Sequence, residues 1–400
     1  MRPEGDDFMT VGVVAEYNPF HGGHLYHINA VRTALGEDTP VAVVLSGDFV
    51  QRGEAAVFSK FARAEAAVRC GASLVMELPL PWCLSSAEGF ARGAVGLLAA
   101  AGAVDALSFG SESGDMDAMI RCAEALDTDT FKYNLRESLQ KGISFAAARE
   151  RAAAALVGAD AGILHSPNDL LGVEYIRAAR AAGADMTFLP IKREGAVHDR
   201  AGSASAIRAG MAAGEDWLDG IPAGAAEVYK REMAEGRGPV LPDHLRQAIM
   251  SRLRMLNEED LALLPDASEG LEHRLYRAIQ NTVSPQEAAM AAKSKRYALS
   301  RLRRMICCAA LGVRRETAEG LPPYIRVLAM DEKGAALLKS MRRTATLPVI
   351  AKPAHVKRLD AHAGEIFALT SRAHDLYALG FSDEKQRTAL ADWRTSPIVV

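Results

Sequence analysis

The sequence predicts an α/β protein with an N-terminal doubly wound parallel sheet, followed by a mainly helical domain and a small C-terminal α/β unit. Three observations predict it. Short unbroken apolar runs alternate with helical patterns through the first half of the chain, strands vanish after Trp217, and two β-prone runs return near the C-terminus. Unbroken apolar runs of this length suit parallel strands covered by helices on both faces, where neither side meets solvent.

The elements follow in order. Val11–Ala15 (VGVVA), Val41–Leu45 (VAVVL), Leu74–Leu78 (LVMEL) and Val104–Phe109 (VDALSF) read as the first four strands. Between them Leu25–Leu35, Ser59–Cys70 and Ser85–Ala101 read as helices. In the first of these Leu25, Ile28, Val31 and Leu35 recur at helical spacing; Ser59, and Ser85 or Ser86, suit N-caps of the other two. A more helical insertion over Met116–Ala182 precedes a fifth strand, Met186–Ile191 (MTFLPI), and a helix at Ser203–Gly214. A sheet wound this way holds its ligands outside the carboxyl ends of the strands. From Trp217 to about Gly312 the pattern is helical, with Val283-Ser284-Pro285 marking a turn into one helix. Tyr324–Met330 and Leu347–Ile350 read as strands of the terminal unit. The expected domains are residues 10–215, 216–318 and 319–400.

The 400 residues carry 47 Lys plus Arg against 50 Asp plus Glu, a net charge of −3, with 49% hydrophobic and 24% charged residues. That balance excludes a uniformly basic nucleic-acid coat and a disordered chain, and leaves room for a local basic face. The five cysteines (Cys70, Cys83, Cys122, Cys307 and Cys308) are odd in number and lack C-x-x-C spacing. Neither a disulfide framework nor a zinc site is expected, and a reducing cytoplasm fits. No apolar run nears the ~20 residues that span a bilayer, and the acidic start MRPEGDDFMTVGVV lacks a basic segment followed by an apolar one. A soluble cytoplasmic protein with no membrane partner is expected.

His21-Gly22-Gly23-His24 follows the first strand and opens the first helix. Two histidines so spaced project to one side, beside unpaired N–H groups and the positive end of the helix dipole, a setting that favours anions. The glycines would let a phosphate reach the backbone, and imidazoles could donate to its oxygens as charge builds on them. Such a site suits attack on the α-phosphate of a nucleoside triphosphate with pyrophosphate leaving. H-x-x-H at large is a solvated surface pair or two metal ligands. Its place here, after a strand and Asn18-Pro19-Phe20, is what sets it apart. His27, one turn beyond His24, either extends the pair or sits on the helix surface. A second motif, Ser203-Ala204-Ser205-Ala206-Ile207-Arg208, follows the fifth strand. Hydroxyls with a guanidinium at a helix N-terminus would hold distal phosphates; read alone, the motif is a capped helix with a solvent-facing arginine.

These motifs resemble the H-x-G-H and S-x-S-x-I-R signatures of the nucleotidyltransferase superfamily, whose fold is Rossmann-like. AEYNPFHGGHLYH, SGDFVQRGE, MELPL, FGSE, SPNDLLGVEYIRA, IKR and SASAIR stand in the order found in the tRNA(Met) cytidine acetate ligase family, over Val11–Arg208 and more loosely beyond. The resemblance implies an enzyme that joins acetate to ATP, forming acetyl-adenylate and pyrophosphate. The acetyl group would then pass to N4 of the wobble cytidine of elongator tRNA(Met), giving N4-acetylcytidine. It implies an ATP-binding stretch over Val14, Ala15, Glu16, Tyr17, Asn18, Pro19, Phe20, His21, Gly22, Gly23, His24, Leu25, Tyr26 and His27, with His21 and His24 catalytic beside the triphosphate. Further nucleotide contacts are implied at Gly110, Asn168, Lys192 and Arg193, and at Ser203, Ser205 and Arg208. From the residues alone, Gly110 is either a point of close backbone approach or a plain turn glycine, and Asn168 is a helix cap. Mg²⁺ is expected on the phosphates, since no carboxylate cage is evident to hold it. The departures from the family pattern, an acidic N-terminal stub and Gly202 before the serines, lie outside the motif residues.

Other polar residues carry two readings each. Asp48, Gln51 and Arg52, in the loop leaving the second strand, are either contacts to acetate, ATP or RNA or parts of a surface ion pair. Lys60 is either a phosphate ligand or a solvated lysine, and Glu77 ends the third strand toward the cleft. His198-Asp199 forms a polar pair without an assigned role, and Cys307-Cys308 is expected in the core. Lys293, Lys295, Arg296, Arg301, Arg303, Arg304, Arg314 and Arg315 lie between Ala292 and Glu316 with no acid among them. Arg342, Arg343, Lys352, Lys357 and Arg358 form a second cluster. A solvated face intersperses both signs, so this asymmetry favours contact with an RNA backbone, chiefly through Lys293 to Arg304. The expectation is an ATP-dependent acyl ligase acting on tRNA. The alternative is a conventional nucleotidyltransferase moving AMP or CMP onto a small phosphorylated substrate. An RNA-binding protein with a vestigial ATP site is the rival from another class.

Overall fold

The computed structural model describes residues 9–193, 203–268, 270–295 and 297–400. The chain runs β1 (Val11–Ala15), α1 (Gly22–Leu35), β2 (Val41–Ser46), a hairpin of β3 (Phe49–Val50) and β4 (Glu54–Ala55), α2 (Lys60–Arg69), β5 (Leu74–Leu78), α3 (Ala87–Ala101) and β6 (Ala106–Ser111). The insertion supplies α4 (Met116–Asp127), α5 (Asp129–Gln140) and α6 (Phe145–Val157), before α7 (Pro167–Ala181), β7 (Thr187–Lys192) and α8 (Ala204–Ala213). Next come α9 (Ala223–Ala234), α10 (Arg246–Arg254), α11 (Glu258–Ala262), α12 (Leu271–Gln280), α13 (Pro285–Ala292) and α14 (Leu299–Leu311). The last segment holds β8 (Ile325–Met330), α15 (Glu332–Thr344), β9 (Val349–Ile350), α16 (Ala361–Ala378) and β10 (Ile398–Val399).

The sheet order is β10-β8-β5-β2-β1-β6-β7, with β9 on β8. From β5 to β7 every pairing is parallel. β2 and β5 are buried along their whole length, which explains their unbroken apolar sequences. Val41, Val43 and Leu45 of β2 pack with α1, α2 and α9, whereas Ala42 and Val44 face the core that contains α3. The chain starts in the middle of the sheet, builds one way through β2 and β5, then returns to build the other way through β6 and β7. That reversal falls between β1 and β6, and a crevice opens at the carboxyl ends of two such strands.

Ile325–Met330 and Val349–Ile350, expected in a terminal unit, are strands, but they join the main sheet. β8 pairs antiparallel with β5, setting Arg326 opposite Glu77. Buried β5 would otherwise present a row of unpaired N–H and C=O groups along its free edge, and β8 satisfies them. Among the described residues no helix is long and apolar enough to cross a membrane.

Candidate active site at the β1–β6 crevice

β1 ends in half-buried Val14, Ala15 and Glu16 and hands the chain to Tyr17-Asn18-Pro19-Phe20, all buried. Tyr17 sits at φ 46°, in the left-handed region, a conformation that costs about 1–3 kcal/mol and persists only where packing holds it. Its ring lies 4.8 Å from Phe20 and 4.7 Å from His24. The Phe20 N–H donates to the Tyr229 hydroxyl on α9 at 2.9 Å, so the helical region holds the motif loop from below.

His21 is the N-cap of α1. Its Nδ1 accepts from Gly23 N at 3.0 Å, and His24 Nδ1 accepts from His21 N at 3.2 Å. A nitrogen that accepts carries no proton, so both neutral rings keep theirs on Nε2. The capping that starts the helix therefore sets two imidazole N–H donors, with ring centroids 3.8 Å apart. Gly23 is required by this fold-back, because a Cβ there would lie 2.9 Å from the His21 ring. Burial, with His21, His27 and Arg193 adding to it, holds His24 well below its ordinary value, in the neutral form that the caps need. His27 is no surface histidine. Its Nε2 lies 2.8 Å from the Ser108 hydroxyl on β6, which itself donates to Leu189 O at 2.9 Å. Ser108 having spent its proton, His27 donates, and burial lowers its value to about 4. Leu25 packs against the core that holds Ile28 and Val31, and Tyr26 is exposed.

The opposite wall comes from β6 and β7. Gly110 lies within β6 opposite Ile191, and a Cβ there would approach Arg193 no nearer than 3.6 Å. The protein alone does not demand a glycine at that point. Arg193 is tied to β6 by its N–H, 2.9 Å from Ser111 O, and both Lys192 and Arg193 are exposed. Asn168 reaches the same rim through a reciprocal clasp. Glu112 accepts from Asn168 Nδ2 at 2.6 Å and Asp169 N at 3.1 Å, while buried Asp169 accepts from Ser111 Oγ at 2.5 Å and Glu112 N at 3.0 Å. Each carboxylate caps the other segment, so the Asn168 amide is a bonded member of the rim as well as part of a helix start.

The second motif meets the first. Ser203 caps α8 by accepting from Ala206 N at 3.2 Å, which leaves its own O–H to donate. Arg208 Nη1 donates to Asn18 O at 2.7 Å, Nη2 lies 3.5 Å from Ser205 Oγ, and Glu54 stands 3.5 Å away. Chain positions far apart in sequence thus share one rim, with His21, His24, Arg193 and Arg208 around it. His198, Asp199 and Gly202 lie outside the described residues.

Several assignments change. Asp48 is buried, accepting from Lys60 N at 2.7 Å, and Lys60 is fully buried with its ammonium 2.7 Å from both Glu77 and Asp392. Neither the phosphate ligand nor the solvated lysine describes it, and Glu77 faces this ion cluster rather than the cleft. Gln51 N donates to Glu16 Oε1 at 2.8 Å, while Arg52 is exposed. Arg63, which belongs to none of the sequence motifs, is fully buried and spends its guanidinium on Phe58 O, Glu16 O and Gly47 O. It thereby ties together the loops that leave β1 and β2; an arginine inside an alanine-rich helix is the signal that could have exposed it.

The basic block divides. Lys293 and Lys295 are exposed and Arg303 is half-buried. Arg301 donates to Asp266 O at 2.6 Å and Ser268 Oγ at 2.8 Å, and Arg304, with 13% of its side chain exposed, lies 3.7 Å from Asp266. Asp266 stands outside the acid-free window. Arg296 lies outside the described residues.

A sheet parallel from β5 to β7, with paired histidines capping the helix at its switch point and a Ser/Arg motif bonded back to the Asn18 loop before them, is a nucleotidyltransferase-like fold. The family model for HIGH Nucleotidyl Transferase matches residues 8–392. A tRNA(Met) cytidine acetate ligase of Thermotoga petrophila is 37% identical, over 96% of this chain and 98% of its own. The enzyme of the same name from Syntrophomonas wolfei is 35% identical, over 97% and 99%. A crystal structure of Thermotoga maritima TmcAL bound with alpha-thio ATP superposes with a TM-score of 0.92 at 36% identity, covering 98% of this chain and all of that one. The chain belongs to the tRNA(Met) cytidine acetate ligase family.

Proposed function

We propose that this protein activates acetate with ATP and transfers the acetyl group to N4 of the wobble cytidine of elongator tRNA(Met). The observation that carries the reading is the Arg208–Asn18 hydrogen bond, 2.7 Å, which joins the two phosphate-type motifs over the switch-point crevice. In the first step an acetate oxygen attacks the α-phosphorus, the bond to the bridging oxygen breaks, and pyrophosphate leaves. The Nε2–H groups of His21 and His24 donate to the α-phosphate oxygens as charge grows there, without a net charge of their own to desolvate. Ser203, Ser205, Arg208, Lys192 and Arg193 hold the departing phosphates, and Gly110 and Asn168 border the nucleoside. Among the described residues no group of three His, Cys, Asp or Glu side chains is placed to hold a metal ion. Mg²⁺ would accordingly take its ligands from phosphate oxygens and water, adding charge neutralisation. In the second step the cytidine amine attacks the acetyl carbonyl, the carbonyl–phosphate bond breaks, AMP leaves and N4 gives up a proton. Positioning is the main requirement of that step.

The exposed Lys293 and Lys295, with Arg303 and the second basic cluster, suit the tRNA backbone. Arg301 and Arg304 contribute first to holding the helical region together. The five cysteines are buried free thiols, which suits a reducing cytoplasm.

The test uses purified protein with ATP, Mg²⁺, labelled acetate and total tRNA, followed by nucleoside mass spectrometry. Labelled N4-acetylcytidine formed without acetyl-CoA is the expected result. His24→Ala should lower acetate-dependent ATP–pyrophosphate exchange about a hundredfold, in line with loss of one transition-state donor. No label in RNA and no exchange would point instead to transfer of a nucleotide.

A further inference from the structure

A cluster of buried charges lies on the other half of the same sheet edge. Asp48, Lys60, Glu77, Arg326, His374 and Asp392 are each no more than 4% exposed. Lys60 Nζ lies 2.7 Å from Glu77 Oε1, 2.7 Å from Asp392 Oδ2 and 3.9 Å from Asp48 Oδ2. Arg326 Nη1 is 3.0 Å from Glu77 and 3.2 Å from Asp392, its guanidinium 5.0 Å from the Phe367 ring centroid and 5.6 Å from that of Phe61. His374 Nδ1 is 2.8 Å from Asp48 Oδ2.

Among the groups joined by these ion pairs, Lys60 is shared by three carboxylates and lies farthest from Asp48, and buried Arg63 beside Asp48 gives its N–H groups to Phe58 O, Glu16 O and Gly47 O. Enclosed in low dielectric, a carboxylate without a close partner is costly, and a protonated His374 at 2.8 Å pairs Asp48 directly, where the Lys60 ammonium is 3.9 Å away. The groups that face His374 are Asp48, Lys60 and Asp392, with the Phe61 and Tyr377 rings against it and Glu77 and Arg326 beyond. Burial is the largest influence and works against its charged form, but the charge and hydrogen bond of Asp48, with the charge of Asp392, together raise the imidazole above its ordinary value.

Asp48 is also the root of a hairpin that reaches the crevice. Its carbonyl accepts from Ala56 N at 2.8 Å, closing the loop over residues 48–56. Along that loop Gln51 holds Glu16, and Glu54 stands 3.5 Å from Arg208. Gly53, at φ +75°, presses on the backbone of Arg303 and Arg304, where a Cβ would collide. One hairpin therefore touches the motif loop, the second motif and α14, and its base is fixed by a side chain of α16.

We propose that His374, in its imidazolium form, is a positioning residue for the nucleotide site: paired with Asp48, it fixes the 48–56 hairpin, and through that hairpin the C-terminal helix sets Glu16 and Arg208. The proposal rests on the reading of the crevice as an ATP site. Because the imidazole value is raised, the pairing is complete below the ordinary histidine range and is lost as pH rises through the raised value.

His374→Asn keeps an N–H for Asp48 and removes the charge. It should raise KM for ATP in acetate-dependent ATP–pyrophosphate exchange about tenfold, as expected for a lost charge-assisted bond, with a smaller change in kcat. The wild-type KM should climb on the alkaline side, and the variant should be flat there. Adding Asp48→Asn to His374→Asn removes the matching negative charge and keeps the Asp48 oxygen that accepts from Lys60 N, so KM should return to within about twofold of wild type if the two sites act as a coupled pair. Hydrogen exchange at residues 48–56 should quicken in His374→Asn and slow again in the double variant, with or without catalysis. Unchanged KM and unchanged hairpin exchange overturn the proposal. So does a lowered melting temperature with the hairpin still protected and KM unchanged, which would make the cluster purely structural. A wild-type protein without acetate-dependent exchange would refute the ATP-site reading, and the hairpin exchange data would still decide the mechanical link.

Discussion

The carboxyl edge of the sheet has two halves that use polar groups in opposite ways. On the β1–β6 half, donors line an opening: Lys192 and Arg193 are exposed, a fifth of the Arg208 side chain is accessible, and His24 is held neutral. On the β2–β5–β8 half, Asp48, Glu77 and Asp392 are enclosed with Lys60, Arg326 and His374 and paired with them. The difference teaches what a binding site asks of a fold. Donors buried against protein carboxylates hold elements together and are unavailable to a ligand, while donors that stay solvent-accessible at an opening can exchange their partners for one. The closed half can then serve as the rigid support of the open half.

The sharpest way to break this comparison is to unbalance the closed half. Lys60→Met leaves Glu77 and Asp392 partly uncompensated in a site where the lysine side chain is fully buried. Removing one partner of a buried ion pair costs about 3–5 kcal/mol, and urea unfolding should show a loss of that size. A loss under about 1 kcal/mol would mean that the cluster behaves like a surface ion pair.

The two halves were unequally legible in the sequence, for a physical reason. The open half is built from neighbours: strand, Asn18-Pro19-Phe20, His21-Gly22-Gly23-His24, helix. Capping and dipole effects act within one turn, so the pattern carries its chemistry with it. The closed half is built from strangers. Asp392 stands 332 positions from Lys60, and His374 stands 326 from Asp48. Lys60 looks like any lysine opening a helix until β8 and α16 close over it. The same distance effect hid Asp266 from the basic block, whose acid-free window ends short of it. β8 itself was readable as a strand from its apolar run, but its partner was not. Which strand covers the edge of β5 depends on what the rest of the chain leaves exposed there, and no local pattern records that.

Arg208→Ala tests the open half with a smaller effect on stability. Its partners are a backbone carbonyl, the Ser205 hydroxyl at 3.5 Å and a partly exposed Glu54. Unfolding free energy should change by no more than about 1 kcal/mol. Pyrophosphate exchange should nevertheless fall about a hundredfold, as for any fixed donor to a developing anion. Equal losses of stability and activity would show that Arg208 is a strut of the Asn18 loop and nothing more.

The gentlest test concerns histidines kept uncharged. His27 titrates at about 4 in the folded protein against 6.5 for a free histidine, because burial disfavours its cation. As pH falls through that window the unfolded chain takes up the proton first, so folding stability declines from about 6.5 down to about 4. His27→Gln keeps a donor for Ser108 and cannot titrate, so the slope of urea midpoint against pH should flatten in that interval. It should not vanish. His24 is also held low, by its own burial and its neighbours, and its share of the slope should remain. Full disappearance of the slope would mean that His24 protonates freely while folded. A protonated His24 has no lone pair on Nδ1 to accept the His21 N–H, so the cap would be lost and with it the pair of Nε2–H donors that sets the open half apart from the closed one.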